Sequence, residues 1–241
     1  MSVVRDLRII GRMLLGSRPG GTDHSRRMES FYAAQAEDYD AFRKRLLPGR
    51  AELLADLRLP DQAVVADLGG GTGANLEMLP HCAHRRIREW TLVDLSPSLL
   101  AIADKRIKDQ GWQHVKLAQA DACTWTPRHS VDLVLFSYSL TMIPDWQAAI
   151  KHVCSILKPG GQIAVVDFTV AHRAPAPGVP PCSAFTRFFW PKWFAWDGVY
   201  LNPEHLPTLM AMFPVHSVRQ QLTHLPYVPG SRVPYFRFIG Q

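Results

Sequence analysis

The chain has 241 residues, which is long enough for one sizeable domain with a full hydrophobic core. Its apolar fraction of 47% and charged fraction of 20% are those of a globular protein and exclude a low-complexity class. The four cysteines contain no Cys-x-x-Cys pair, so zinc-site spacing is absent and free thiols in a reducing compartment are expected. No apolar run reaches the roughly 18 residues of a membrane-spanning helix, and Arg12 interrupts any signal-peptide core, so we expect a cytoplasmic protein.

Residues 1–28 are predicted to form a basic amphipathic segment. On a helix its apolar side chains share one face and its arginines the opposite face; these are Val3, Leu7, Ile10 and Leu14 against Arg5, Arg8 and Arg12. Such a helix suits the plane of a membrane interface, and the excess of arginine favours an anionic partner, either membrane lipid or nucleic acid. The alternative is an ordinary helix that docks its apolar stripe on the domain.

Apolar runs that end in polar or glycine residues predict a series of strands. The first ends in Asp67 and continues into the turn Asp67-Leu-Gly-Gly-Gly-Thr-Gly73, after which Asn75 begins a helical segment. This pattern is typical of a strand–turn–helix nucleotide cradle, in which glycines let a ligand lie close to the main chain. Further strands are predicted over residues 87–94, 115–119, 131–136, 162–168, 215–223 and 232–240.

The glycine loop alone does not determine which nucleotide cofactor binds. The dinucleotide fingerprint Gly-x-Gly-x-x-Gly/Ala is met when it is counted from Gly69, because its third small residue is then Ala74. Two aspartates narrow the choice. Asp94 ends the second strand, where a carboxylate can hold a ribose diol, and Asp121 follows the third strand, where it can accept a hydrogen bond from an adenine amino group.

In this order and spacing, the motifs resemble the class I S-adenosylmethionine-dependent methyltransferases over roughly residues 60–170. The resemblance implies a Rossmann-like α/β fold, with a seven-stranded, mostly parallel sheet that ends in an antiparallel C-terminal hairpin. Residues 29–241 would then be a single methyltransferase domain that uses S-adenosylmethionine and no metal. The cofactor-binding residues that it implies are Asp67, Gly69, Gly71, Gly73, Asp94, Leu95, Asp121, Ala122 and Ser137. An NAD-binding fold and an inactive relative are the alternatives.

An aromatic insert is predicted at about residues 172–205. A proline-rich connector at 174–181 precedes a segment at 185–196 that is dense in aromatic residues, with Arg187 and Lys192 between them. Such a segment is unfavourable in water, so it buries in the core, lines an acyl-chain pocket or inserts at a membrane interface. Its basic residues are too few for a phosphate track, and nucleic acid is not an expected partner.

A closer resemblance joins three further motifs across roughly residues 28–240. Phe31-Tyr-x-x-Gln-Ala-x-x-Tyr-Asp40, the segment from Trp190 to Val199, and Pro226-Tyr-Val-Pro-Gly-Ser-Arg-Val-Pro-Tyr235 look like the bacterial betaine-lipid N-methyltransferases. The resemblance implies that diacylglyceryl-homoserine becomes diacylglyceryl-trimethylhomoserine by three methylations of its amine. It implies peripheral contact with the inner membrane through the N-terminal helix and the aromatic insert, and a partnership with the enzyme that makes diacylglyceryl-homoserine.

Aromatic side chains are the candidate catalytic residues, because their faces tolerate the positive charge that develops on nitrogen. The candidates are Tyr32, Tyr39 and Tyr138, and helix packing is the alternative role for the first two. Asp40 is a candidate partner for the amine, Arg43 or Arg232 for a carboxylate, and His172 for a base. The alternative functions are phosphatidylethanolamine N-methylation, methylation of a quinone-type small molecule, and a non-catalytic S-adenosylmethionine-binding membrane partner.

Overall fold

The computed structural model describes residues 46–175, 177–196, 198–225 and 232–241. The strands are β1 (Ala63–Leu68), β2 (Ile87–Asp94), β3 (Val115–Gln119), β4 (Val131–Ser137), β5 (Leu157–Phe168), β6 (His216–Thr223) and β7 (Val233–Gly240). The helices are α1 (Arg50–Asp56), α2 (Ala74–Met78), α3 (His81–Arg86), α4 (Pro97–Gln110), α5 (Trp146–Ile156), α6 (Ala184–Ala195) and α7 (His205–Met212), and a 3₁₀ turn spans Leu140–Met142.

The strands form one sheet in the order β3-β2-β1-β4-β5-β7-β6. β1 to β5 pair in parallel, whereas β7 runs antiparallel to both β5 and β6. The predicted fold class, with its C-terminal hairpin, is therefore confirmed. Because the strand order reverses between β1 and β4, the carboxyl ends of these two strands border the crevice where open α/β sheets bind ligands.

The glycine turn before β5 is the one place where a predicted strand boundary differs clearly from the structure. Val131 pairs with Leu157 and Leu133 with Gln162, so residues 158–161 bulge out of a longer strand rather than preceding it. Gly160 has a φ of +76°, which lets the bulge turn within the strand.

The core lies on both faces of the sheet. Every residue of β1 is buried, and its side chains alternate between two hydrophobic clusters, with Val65 in one and Val64 and Ala66 in the other. This is the pattern of a strand covered on both faces, and it agrees with the continuous apolar run in the sequence. None of the helices in the described ranges is long and apolar enough to cross a bilayer.

The aromatic insert contributes one face of α6 to this core. Trp190 and Phe194 are buried, and the Trp190 indole donates a hydrogen bond to the Arg232 carbonyl at 3.0 Å. The Phe194 ring packs 4.7 Å from the Phe168 ring at the end of β5. Core burial is therefore confirmed for part of the insert.

Asp167 connects β5 to the 3₁₀ turn. Its fully buried carboxylate accepts hydrogen bonds from the backbone and hydroxyl of Thr141, at 3.0 and 2.7 Å, and from the backbone of Phe168 at 2.9 Å. Burial raises the pKa of Asp167 to about 7, against the opposing effect of these hydrogen bonds. The folded protein therefore retains a proton that the unfolded chain loses near its ordinary pKa of 3.8.

This difference predicts how stability depends on pH. The contribution is fully present below about pH 4 and is lost as the pH rises through 7, by up to about 1.4 kcal/mol per pH unit. In urea unfolding between pH 5 and 8, Asp167→Asn should be less stable than the wild type, and the gap should narrow as the pH rises. Asp104→Asn, on the exposed side of α4, should show no such trend. A gap that stays constant or widens would contradict this assignment.

Candidate active site

The turn after β1 is built from glycines whose backbone angles disfavour other residues. Gly69, Gly71 and Gly73 have φ values of +71°, +58° and +73°. A Cβ at Gly69 would lie 2.5 Å from the Ser139 side chain, so the loop passes against the residues that follow β4. The predicted cradle is therefore present, and it lies between the carboxyl ends of β1 and β4.

Asp94 holds this loop to the end of β2. One carboxylate oxygen accepts a hydrogen bond from the Gly71 backbone and the other from the Ser96 backbone, each at 2.9 Å. The Ser96 hydroxyl in turn caps α4 by accepting from the Leu99 backbone at 3.3 Å. A carboxylate has more acceptor positions than these two bonds use, and Asp94 also lines the cleft.

Asp67 lies beneath the loop rather than in its lining. It is fully buried and accepts a hydrogen bond from the Asn75 side-chain amide at 3.1 Å, and the Asn75 carbonyl accepts from the Ser137 hydroxyl at 3.0 Å. Burial raises the pKa of Asp67 to about 7, while the bond from Asn75 lowers it. Asp67 and Ser137 thus support the cradle from below, and their direct contact with a cofactor stays a prediction.

Tyr138 turns the chain sharply where β4 ends. Its φ of +55° is rare for a residue with a side chain, and its ring packs edge-on against Phe168 at 4.8 Å. The hydroxyl donates a hydrogen bond to the Pro48 carbonyl at 2.7 Å, which ties the segment before α1 to the cleft. Burial raises the pKa of Tyr138 well above 10, so the hydroxyl remains protonated and cannot act as a base.

Asp121 and Ala122 lie on the turn after β3. The Asp121 carboxylate accepts a hydrogen bond from the Cys123 backbone at 2.8 Å, while Ala122 is buried against the cleft. Burial, together with the charges of Asp121 and Asp145, raises the pKa of Cys123 to about 12. The thiol therefore stays neutral and is no candidate nucleophile.

These elements enclose a cleft of about 240 Å³ at the carboxyl ends of β1, β2, β3 and β4. Its described lining residues are Gly69, Gly71, Val93, Asp94, Leu95, Leu99, Ala120, Asp121, Ala122, Cys123, Tyr138, Ser139, Met142, Ile143, Pro144 and Asp145. They include three aspartates and no lysine, arginine or histidine. Such a lining attracts a cation and repels a polyanion.

The structure therefore brings together most of the predicted cofactor residues and adds others. Met142, which ends the 3₁₀ turn, and the three residues after it up to Asp145 were not found by sequence reasoning because no motif marks them. Arg50 at the start of α1 is buried outside this lining, and its Nε donates to the Leu47 carbonyl at 3.3 Å. Gly73 starts α2 next to the cleft, outside its lining.

Several candidate substrate residues cannot be placed. Tyr32, Tyr39, Asp40 and Arg43, the N-terminal segment 1–28 and most of the Pro226–Tyr235 motif lie outside the described residues. His172 is described, but it pairs with Glu204 on the surface, and it is not among the residues of the cleft. Its predicted role as a base thus has no support from its position.

Comparisons with known proteins identify the same region. Residues 65–161 match the family model described as a methyltransferase domain. The trans-aconitate 2-methyltransferase of Escherichia fergusonii is 35% identical over 115 residues, which cover 47% of this chain and 42% of that protein. The chain thus spans less than half the length of the curated relatives that it matches.

Solved structures share the fold over a greater length. The phosphoethanolamine N-methyltransferase 2 of Haemonchus contortus, solved with phosphomonomethylethanolamine and S-adenosylhomocysteine, has a TM-score of 0.64 at 18% identity and covers 88% of this chain and 59% of that one. The [4+2]-cyclase SpnF has a TM-score of 0.64 at 16% identity and covers 92% and 98%. At these identities the likeness concerns the fold. Residues 65–161 therefore match a methyltransferase domain, within a chain that has the class I methyltransferase fold.

Proposed function

We propose that this protein is an S-adenosylmethionine-dependent N-methyltransferase that converts diacylglyceryl-homoserine to diacylglyceryl-trimethylhomoserine by three methylations of the amine. The proposal includes action at the cytoplasmic face of the inner membrane, next to the enzyme that supplies diacylglyceryl-homoserine. The observation that carries it is the charge of the cleft, which is lined by three aspartates and by no described cationic side chain.

The residues present fit S-adenosylmethionine. Asp94 would accept from two ribose hydroxyls, the turn of Asp121 and Ala122 would hold the adenine, and the glycine loop would admit the methionine end close to the backbone. Met142 and Ile143 add an apolar wall. When bound, S-adenosylmethionine supplies an electrophilic methyl group on a positively charged sulfur, and the acidic lining favours that charge.

The same lining favours an amine over an acid as the methyl acceptor. The curated relatives are named for trans-aconitate, a polyanion, which would meet Asp94, Asp121 and Asp145 without a described counter-charge. The Haemonchus neighbour, by contrast, was solved with a methylated amine. The choice of a lipid amine is supported by the motifs at 31–40, 190–199 and 226–235, which look like those of betaine-lipid enzymes.

The chain's own residues account for the remaining requirements of the reaction. The attacking nitrogen must be neutral, and an apolar wall beside it disfavours the ammonium form and so lowers the amine's pKa. Positioning of the nitrogen for in-line attack supplies much of the rate enhancement in such a displacement. The Tyr138 ring, held by Phe168 and Pro48, offers its π-system to the charge that develops on nitrogen.

The substrate assignment is tested with labelled S-adenosylmethionine and purified full-length protein. Mixed micelles of diacylglyceryl-homoserine, mixed micelles of phosphatidylethanolamine, and soluble trans-aconitate are offered separately. We expect label in trimethylated homoserine lipid alone, measured by chromatography and mass spectrometry. Label in phosphatidylethanolamine alone would replace the proposal with its nearest alternative, and label in trans-aconitate would show that the cleft accepts a polyanion.

Asp94→Ala should weaken S-adenosylmethionine binding by about tenfold to a hundredfold, because charge-assisted hydrogen bonds to the ribose are lost together with the hold on Gly71. Isothermal titration calorimetry measures this directly. Asp109→Ala, an exposed aspartate on α4, is the matched control and should bind as the wild type does. Unchanged affinity in Asp94→Ala would refute the ribose assignment.

Tyr138→Phe should keep most of kcat and lose about 1 kcal/mol of stability, because the ring remains while the hydrogen bond to Pro48 is lost. Tyr138→Leu, which removes the ring, should lower kcat by about tenfold. Tyr235→Phe is the control, since its buried hydroxyl bonds Gln221 at 2.6 Å outside the cleft lining. If Tyr138→Phe lost kcat as fully as Tyr138→Leu, the hydroxyl itself would take part in the reaction.

A further inference from the structure

The outward face of α6 is aromatic. Phe185, Phe188 and Trp196 have exposed fractions of 65%, 66% and 68%. Together with exposed Lys192 they recur at intervals of three and four residues, which places all four on one side of a helix with about 3.6 residues per turn. We call these four residues the α6 outer face.

Exposed helix faces of soluble proteins are usually polar, and this one is not. The opposite side of α6 is already occupied, because Trp190 and Phe194 are buried in the core. Phe189, between the two faces, stacks on Phe185 with ring centroids 4.9 Å apart. The helix therefore has aromatic side chains on both its buried and its exposed side, and the α6 outer face has aromatic surface that the described core does not use.

The charged side chain of this face is a cation. Within α6 the charged residues are Arg187 and Lys192, of which Lys192 lies on the outer face, and Asp197 follows Trp196 in the sequence. The Lys192 ammonium lies 3.8 Å from the centre of the Phe188 ring, so the cation belongs to the same surface as the aromatic side chains. Exposed aromatic rings beside a lysine match the composition of protein surfaces at the boundary between lipid headgroups and acyl chains.

Packing contacts and a backbone hydrogen bond connect the helix that carries the α6 outer face to the cleft. Phe194 on the inner side of α6 packs on Phe168, which packs on Tyr138 in the cleft lining at 4.8 Å. Beyond the helix, the Tyr200 backbone donates a hydrogen bond to the Thr141 carbonyl at 2.7 Å, next to lining residue Met142. A surface that binds the α6 outer face is therefore held at a constant position relative to the cleft.

We propose that the α6 outer face docks on an anionic lipid bilayer, with Phe185, Phe188 and Trp196 seated among the headgroups and Lys192 paired with lipid phosphate. This inference rests on the proposed function. It explains how the amine of a diacyl substrate would reach the cleft while the acyl chains stay in the bilayer. A second copy of this chain is a poorer occupant. A two-fold pairing of the face would bring two Lys192 ammonium groups together and desolvate both.

The test is flotation of the full-length protein with phosphatidylcholine vesicles that contain or lack phosphatidylglycerol. The variant Phe185→Ser/Phe188→Ser should bind the anionic vesicles at least about tenfold more weakly than the wild type, because two rings no longer leave water. The matched control is Val215→Ser/Leu222→Ser, which removes apolar side chains of 70% and 58% exposure from another surface. It should bind as the wild type does.

A second variant separates charge from apolar burial. Lys192→Glu should abolish the preference for phosphatidylglycerol and reduce the salt dependence of binding. All variants should keep wild-type affinity for S-adenosylmethionine in calorimetry, which shows that they are folded and that the cleft is intact.

Three outcomes would overturn the proposal. In the first, the full-length protein would bind neither kind of vesicle. In the second, the double serine variant would bind as tightly as the wild type, which would assign vesicle binding to another segment such as residues 1–28. In the third, the only effect of the variant would be to dissociate a dimer detected by sedimentation. Flotation involves no methyl transfer, so its result can be interpreted even if the protein does not methylate the proposed lipid. Likewise, the methylation assay can be interpreted even if the protein does not bind vesicles.

Discussion

Asp94 accepts hydrogen bonds from two backbone N–H groups, one from Gly71 in the glycine loop and one from Ser96 before α4. A single carboxylate thereby joins the loop after β1 to the end of β2 and holds Ser96, whose hydroxyl caps α4. The arrangement sets the shape of the cleft, since the loop glycines have left-handed backbone angles that other residues resist. The rest of the site is organised around this connection.

Two buried aspartates support the site from within the sheet. Asp67 at the end of β1 and Asp167 at the end of β5 are both fully buried, and burial raises the pKa of each to about 7. Asp67 holds Asn75 under the glycine loop, and Asp167 holds Thr141 in the 3₁₀ turn that leads to the apolar wall. Both sides of the cleft therefore depend on carboxyl groups that never reach its surface, at a cost in stability as the pH rises.

The acidic lining and the cationic, aromatic α6 are complementary parts of one proposal. A cleft with aspartates suits a sulfonium and an amine, while a helix with Phe188 and Lys192 on its outer face suits an anionic membrane. Both surfaces are tied to Tyr138, which packs on Phe168 and bonds Pro48. Under this proposal, the link would keep a lipid amine from a bilayer at a constant distance from the cleft.

The sequence by itself determined the strands, the glycine loop and the positions of Asp94 and Asp121, because apolar runs, glycine spacing and strand ends are local properties that a short window contains. Only the tertiary structure decided that Asp67 and Ser137 lie beneath the loop, that Met142 and its neighbours close the cleft, and that α6 is split into a buried and an exposed aromatic face. The physical reason is that burial and hydrogen-bond partners, such as Pro48 for Tyr138, come from residues far apart in the chain. No local pattern encodes which of several aromatic side chains the core has room to bury.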